Sequence, residues 1–167
     1  MFLQISEIFP SLQGESYLAG LPCVFVRLTG CHLRCVYCDT KYAYSGGKRM
    51  NLQQILRHIC HISPIRRICL TGGEPLLQEN VYALMRALLK KKYQVSLETC
   101  GTIDISRVPR SVVKVMDVKT PGSVGANPCI RPSYIAIKNL KHLTPSDEVK
   151  FVVTDQRDID WSIRGIK

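Results

Sequence analysis

Three of the eight cysteines in this 167-residue sequence fall within eight residues. Cys31, Cys35 and Cys38 form the spacing C-x3-C-x2-C. Thiols this close in sequence can face one centre only if a compact loop wraps around it, as when they ligate three corners of an iron-sulfur cube. A cube has four irons, so one is left over, and an open iron can bind a substrate or cofactor directly. Fully ligated 4Fe-4S electron carriers use four cysteines, and here only Cys23, which precedes the loop, lies near it. Zinc is the alternative. Cys35-x2-Cys38 is also a zinc-knuckle spacing with His32 or Asp39 as a fourth ligand, although structural zinc motifs usually come as two knuckles and the sequence holds no second C-x2-C. A third reading is three unrelated buried cysteines.

Other residues carry weaker chemical signals. Thr71-Gly72-Gly73-Glu74-Pro75 follows an apolar run. Two glycines at the carboxyl end of a strand let a ligand approach the backbone, and that end is where α/β folds place their sites. Glu74 can accept hydrogen bonds from an ammonium group, while the Gly-Gly pair equally serves a tight turn before a helix. Gln13-Gly14-Glu15 lies in a polar stretch that, taken alone, says little more than loop. Arg27 interrupts the apolar run from Cys23 to Leu28 and needs a partner, either a structural carboxylate or an anionic ligand. Asp117 and Lys119 end another apolar run and Glu98 a third; charges at strand ends are also often simply solvated. Thr40, just past the cysteines, can cap a turn.

With Tyr37 as the aromatic in C-x3-C-x-aromatic-C, the loop resembles that of the radical S-adenosylmethionine (SAM) superfamily. Gln13-Gly14-Glu15, the run from Gly30 to Cys35, Cys38-Asp39-Thr40 and the run from Thr71 to Pro75 together resemble the 7-carboxy-7-deazaguanine synthase family, from about residue 4 to about residue 155. The resemblance implies that Cys31, Cys35 and Cys38 hold a 4Fe-4S cluster whose open iron is chelated by the amine and carboxylate of SAM. It implies SAM contacts at Tyr37, Cys38, Asp39, Gly73, Glu74, Asp117, Val118 and Lys119. Substrate contacts would be Leu12, Gln13, Gly14, Arg27 and Thr71, with the planar guanidinium of Arg27 turned to the substrate carboxylate. Thr40 would help hold a Mg2+ ion that orients the same carboxylate, oxygen ligands suiting that hard cation.

The reaction implied by the resemblance converts 6-carboxy-5,6,7,8-tetrahydropterin to 7-carboxy-7-deazaguanine with loss of ammonia. A 5'-deoxyadenosyl radical starts it by hydrogen abstraction, and SAM is regenerated. The product feeds 7-deazapurines such as the queuosine base of transfer RNA. A homodimer and an electron donor such as flavodoxin follow from the same resemblance. Two departures stand out: Ser16 occupies a family glycine position, and after residue 155 the family continues through a further helix and a segment that closes the substrate pocket. Three other functions fit parts of the pattern. They are a glycyl-radical-enzyme activase, a zinc-stabilised binding module, and a truncated inactive remnant that binds cluster and SAM.

These residues need elements to hold them. Alternation over Leu3 to Phe9 predicts a strand that Pro10 stops. Apolar runs predict buried strands over Cys23 to Leu28, Ile65 to Thr71, Gln94 to Glu98, Val112 to Val118 and Glu148 to Thr154. Gly46-Gly47 marks a turn, after which Asn51 and Gln54 form a reciprocal cap for a helix with Leu52, Ile55, Leu56 and Ile59 inward. Leu77, Val81, Leu84, Met85 and Leu88 make a second helical stripe, ended by Lys90-Lys91-Lys92, where cations suit the dipole. Met85, His58 and His61 read as packing or surface residues rather than ligands. Gly122 to Pro132 reads as a mobile loop, and Asp155 to Lys167 as a tail without a core stripe. Strand-helix alternation at this length predicts one domain, residues 1–167, an α/β fold forming a partial TIM-like barrel with its C-terminal part shortened.

Composition narrows the function classes. No run of about 18 apolar residues and no leader-like N-terminus appear, so a cytoplasmic location with reduced thiols is expected, and no membrane partner. Cys60, Cys69, Cys100 and Cys129 are expected as small core or near-core residues. The formal charge of +10 permits an anionic ligand. Without a basic run interleaved with aromatics it does not argue for direct nucleic-acid binding.

Overall fold

In the computed structural model, which describes residues 1–124 and 132–166, seven strands and four helices follow one another along the chain. The strands are β1 (Phe2–Leu12), β2 (Pro22–Leu28), β3 (Lys48–Asn51), β4 (Arg67–Gly72), β5 (Gln94–Thr99), β6 (Val113–Asp117) and β7 (Glu148–Lys150). The helices are α1 (Leu52–Ile62), α2 (Val81–Lys90), α3 (Pro132–Leu140) and α4 (Gln156–Ile166). One sheet holds all seven strands in the order β3-β1-β2-β4-β5-β6-β7. The run from β2 to β7 is parallel, β1 pairs antiparallel with both β2 and β3, and the sheet ends at β3 and β7 without closing. This is the incomplete α/β barrel that the strand-helix alternation predicts.

Side-chain alternation explains how one sheet serves both core and site. Val24, Val26, Leu28, Ile68, Leu70, Leu97 and Met116 point to the helical side, where Ile55 and Ile59 of α1 and Leu84, Met85 and Leu88 of α2 complete the core. Fully burying each such aliphatic side chain contributes about 1.5–3 kcal/mol. The intervening residues Phe25, Arg27, Thr71, Glu98, Val115 and Asp117 face the other way and line one cavity. One face of the parallel strands is therefore packed under helices and the other is turned to the cavity.

The helix ends are set by local chemistry. Asn51 accepts the N–H of Gln54 and Gln54 accepts the N–H of Asn51, a complete capping box at α1. At the end of α2, Lys92 adopts φ +63°, Tyr93 N–H reaches the Leu88 carbonyl and Lys92 N–H the Leu89 carbonyl, the Schellman closure.

Several expectations need correction. The first strand runs through Pro10 to Leu12, because beyond Ile5 it has β2 alone as a neighbour and the free edge tolerates proline. The last strand covers Glu148–Lys150 only. Leu77 lies in a short turn before α2 and is exposed, and Cys60 is exposed on α1, whereas Cys69 and Cys100 are buried as expected. Residues 156–166 form a helix where a tail is expected. Its inward stripe is Asp158, Trp161 and Ser162 rather than aliphatics, while Ile159 and Ile163 face solvent, so an apolar periodicity misses it. Trp161 packs edge-on against Phe151 at 6.3 Å. Cys129 and most of the loop expected between Gly122 and Pro132 lie outside the described residues. No helix among the described residues is long and apolar enough to cross a membrane.

Candidate active site

The cysteine loop leaves the end of β2 and folds back over the ends of β4 and β6. Two glycines make that possible. Gly72 has φ +145°, and a Cβ there would collide with the Leu28 backbone; a Cβ on Gly73 would collide with the Gly30 carbonyl and lie 2.8 Å from Cys31 Cβ. The resulting contact is closed by hydrogen bonds from Gly73 N–H to Leu28 O (3.1 Å) and from Glu74 N–H to Gly30 O (2.8 Å). The Gly-Gly pair thus brings chain against chain, locking the loop's first cysteine to the sheet.

A cavity of about 570 Å³ opens at these strand ends, and Cys31, Cys35 and Cys38 all line it. All three are free thiols. Burial pushes the Cys31 and Cys35 thiols up; Cys38 raises both further, and Lys119 partly offsets this at Cys35. Three clustered thiolates repel one another, so the set favours a cationic centre. Among the described residues no three His, Cys, Asp or Glu side chains converge on a point that one metal ion could occupy. Three thiols on one cavity wall suit a cluster, whose ligands sit on separate irons.

Beside the thiols, β6 contributes Asp117 and, just after it, Lys119. Lys119 Nζ lies 2.8 Å from Asp117 Oδ2, and Lys150 Nζ lies 3.5 Å from the same oxygen. Burial pulls the Lys119 ammonium down, but the Asp117 carboxylate more than offsets this and holds it above the usual lysine range. Asp117 Oδ1 is buried and has no hydrogen-bond partner among the described residues. An orphaned acceptor in a cavity wall is a place for a ligand donor such as a ribose hydroxyl. Tyr37, Asp39 and Gly73 line the same cavity.

The opposite wall carries the other expected set. Gln13 is buried and donates from Nε2 to Glu98 Oε1 (3.1 Å), while Thr71 donates to Glu98 Oε2 (2.7 Å). Gln13 Oε1 in turn accepts the N–H groups of Gly14 and Glu15, folding the loop after β1 over the cavity. Arg27 lines the cavity but also spends its Nε on Glu7, at 2.7 Å, directly across from it in the β1–β2 register. Burial raises the Glu7 carboxyl, and the bonds from Arg27 and Tyr42 outweigh that and lower it. Arg27 therefore has a structural partner, with the fork of its guanidinium left for the cavity. The Thr40 hydroxyl donates to Asp39 Oδ1 at 2.6 Å, and both residues line the cavity.

Four expected contacts are placed elsewhere. Glu74 is fully buried, and its carboxylate accepts from Leu76 N–H, Cys100 N–H and the Thr99 hydroxyl. It ties β5 to the turn after β4 and does not face the cavity. Val118 is buried with its N–H on Lys150 O. The Leu12 side chain is exposed at the end of β1, and Gly14 is exposed outside the cavity lining. Conversely, Lys150 lines the cavity and pairs with both Asp117 and Glu15. The signal for it was available: a lone cation in the apolar run from Val149 to Val153, the same pattern that singles out Arg27.

Fold and site define a radical SAM domain, and residues 25–117 match the Radical SAM superfamily. Such enzymes bind a 4Fe-4S cluster and SAM. The chain is 44% identical to a 7-carboxy-7-deazaguanine synthase from Koribacter versatilis, over 96% of this chain and 69% of that protein. It is 38% identical to the synthase from Thermoplasma acidophilum, over 95% and 74% respectively. The crystal structure of QueE from Escherichia coli superposes with a TM-score of 0.78 over 99% of this chain and 77% of that one, at 23% identity, which supports the fold. The chain belongs to the 7-carboxy-7-deazaguanine synthase family.

Proposed function

We propose that the chain converts 6-carboxy-5,6,7,8-tetrahydropterin to 7-carboxy-7-deazaguanine and ammonia. The observation that carries this reading is the meeting, on one cavity, of three free thiols, the Asp117–Lys119 pair and the Gln13–Glu98–Thr71 cluster beside Arg27. Cys31, Cys35 and Cys38 hold the cluster. Tyr37, Asp39, Gly73, Asp117 and Lys119 surround SAM, with the unpartnered Asp117 oxygen taking a hydroxyl. Cys38 also borders SAM. Val118 contributes backbone only, and Glu74 acts from behind by holding the Thr99–Cys100 segment in place.

When bound, the cluster and SAM supply the one-electron chemistry that removes a substrate hydrogen. Around it, Gln13, Glu98 and Thr71 offer donors and acceptors matched to a pterin edge, with Leu12 and Gly14 flanking through their backbone. The free fork of Arg27 takes the carboxylate. Thr40 and Asp39 present adjacent oxygens suited to Mg2+. The domain is taken as residues 1–167, cytoplasmic and homodimeric, with a flavodoxin-like electron donor, a small-molecule substrate and no nucleic-acid contact.

The test is anaerobic reconstitution with iron and sulfide, followed by SAM, reductant and the carboxy-tetrahydropterin. Deazapurine absorbance should appear, and Cys31→Ala should abolish both iron uptake and product. A brown, SAM-cleaving protein that leaves the pterin untouched would refute the substrate assignment. A zinc-loaded, colourless protein would refute the cluster.

A further inference from the structure

The expected roles above leave Asp158 unused, although it is 1% exposed in the first turn of α4. Its Oδ1 accepts the N–H of Gly122 at 2.9 Å, and its Oδ2 accepts both the N–H and the hydroxyl of Thr154, at 2.9 and 2.7 Å. The approach is close: a Cβ at Gly122 would collide with Thr154 Oγ1 and lie 2.6 Å from Asp158 Oδ2, so a side chain there would displace one of them. The carboxylate therefore pins the turn Pro121–Val124.

That turn holds the cysteine loop. Ser123, fully buried, accepts the N–H of Val36 on its carbonyl at 2.9 Å, and its hydroxyl lies 2.7 Å from the Tyr37 hydroxyl and 2.8 Å from that of Thr120. The Thr120 hydroxyl donates to the Val152 carbonyl at 3.0 Å. Ser123 must then donate to Thr120, and Tyr37 to Ser123. Val36 and Tyr37 are the two residues between Cys35 and Cys38, and Lys119 Nζ stands 5.4 Å from the Tyr37 ring centre.

We propose that Asp158 is a positioning residue for the cysteine loop, acting through Gly122 and Ser123 to set where Cys35 and Cys38 stand relative to Lys119 and Asp117. The inference rests on the reading of that loop as the cluster site. Partners one step removed from metal ligands typically change affinity or activity 10- to 100-fold when lost.

The test uses the full chain with Asp158→Asn, Ser123→Ala and, as a control on the exposed side of α4, Arg164→Ala. In the metal-free chain, the Val36 amide should exchange with solvent faster in the first two variants than in the parent. After reconstitution, the electron paramagnetic resonance signal of the reduced, SAM-bound cluster should shift in both. Their kcat should fall about 10- to 100-fold with KM for the pterin little changed. Arg164→Ala should match the parent throughout. Unchanged exchange and an unchanged spectrum in Asp158→Asn overturn the proposal. Should that variant not fold, the same result in Gly122→Ala, whose Cβ would lie 2.6 Å from Asp158 Oδ2 and displace the carboxylate, overturns it. If the parent takes up no cluster, the functional reading fails, and the exchange measurement still decides whether Asp158 holds the loop.

Discussion

Gly73→Ala places a Cβ where the start of the cysteine loop already stands. A Cβ at Gly73 collides with the Gly30 carbonyl and lies 2.6 Å from Gly30 C and 2.8 Å from Cys31 Cβ. Two of these atoms are backbone, so no rotamer change relieves the overlap. Either the turn after β4 or the start of the cysteine loop must move, breaking the Gly73–Leu28 and Glu74–Gly30 hydrogen bonds. Two such bonds contribute about 1 kcal/mol each, and overpacking adds about 1–3 kcal/mol. A loss of roughly 3–5 kcal/mol lowers Tm by about 6–20 °C in a chain of this size. Calorimetry of the metal-free chain measures that shift, and iron per chain after reconstitution measures the displacement of Cys31. Gly14→Ala is the comparison, because nothing lies within 4 Å of a Cβ there; its Tm should stay within about 1–2 °C of the parent. A Gly73→Ala protein with parental Tm and full iron content would refute the reasoning.

Lys92→Gly should raise Tm by about 2–4 °C in the same scan, since Lys92 holds φ +63° at the Schellman position, where a side chain costs about 1 kcal/mol. The Asp158 carboxyl, which burial raises but the Thr154 and Gly122 donors bring down to about 2, lies below its unfolded value of about 3.9. Its contribution is thus complete above about pH 5 and lost as pH falls through about 2. Urea unfolding of the metal-free chain should therefore show a gap between parent and Asp158→Asn that is constant from pH 7 to pH 5 and narrows below pH 4. Thr71→Val removes a donor to the Glu98 carboxylate and should lower kcat/KM for the pterin about tenfold, a hydrogen bond to a charged group contributing about 1.5 kcal/mol. Lys150→Met should raise the KM values of both SAM and pterin, because the lysine touches Asp117 on one side and Glu15 on the other.

What the sequence made legible was what depends on near neighbours. The capping box at Asn51 and Gln54 is a three-residue relationship and appears as expected. The apolar runs became parallel strands, and the cysteine loop follows β2 because its first ligand lies three residues past that strand. Pairings across strands were not legible. Glu7 faces Arg27 and Lys150 faces Asp117 only through register, which local periodicity does not contain. Glu74 turns inward because Thr99 and Cys100, 25 and 26 residues away, present a hydroxyl and an N–H to it. The fourth helix was missed for a different reason: its buried stripe is largely polar, and Asp158 is buried because three donors from Gly122 and Thr154 satisfy it rather than because it is apolar.

The same register logic explains how an unclosed barrel keeps its cavity walled. The sheet stops at β7, leaving a gap between that edge and the loop after β1. Polar contacts span the gap: Tyr17 N–H donates to Glu148 Oε1 at 2.8 Å, and Glu15 pairs with Lys150. Lys150 in turn reaches Asp117. Burial lowers the Lys150 ammonium, but Glu15 and Asp117 more than offset it, so the lysine stays charged and both acids keep their partner. A hydrogen-bonded strand at this edge would seal the cavity with backbone, whereas exposed ion pairs contribute little stability each and exchange readily with water and ligands. The side of the cavity that carries Gln13 and Glu15 is thus held by contacts that a charged ligand can compete for. The cysteine side, locked by Gly73, Ser123 and Asp158, is held by buried hydrogen bonds that it cannot.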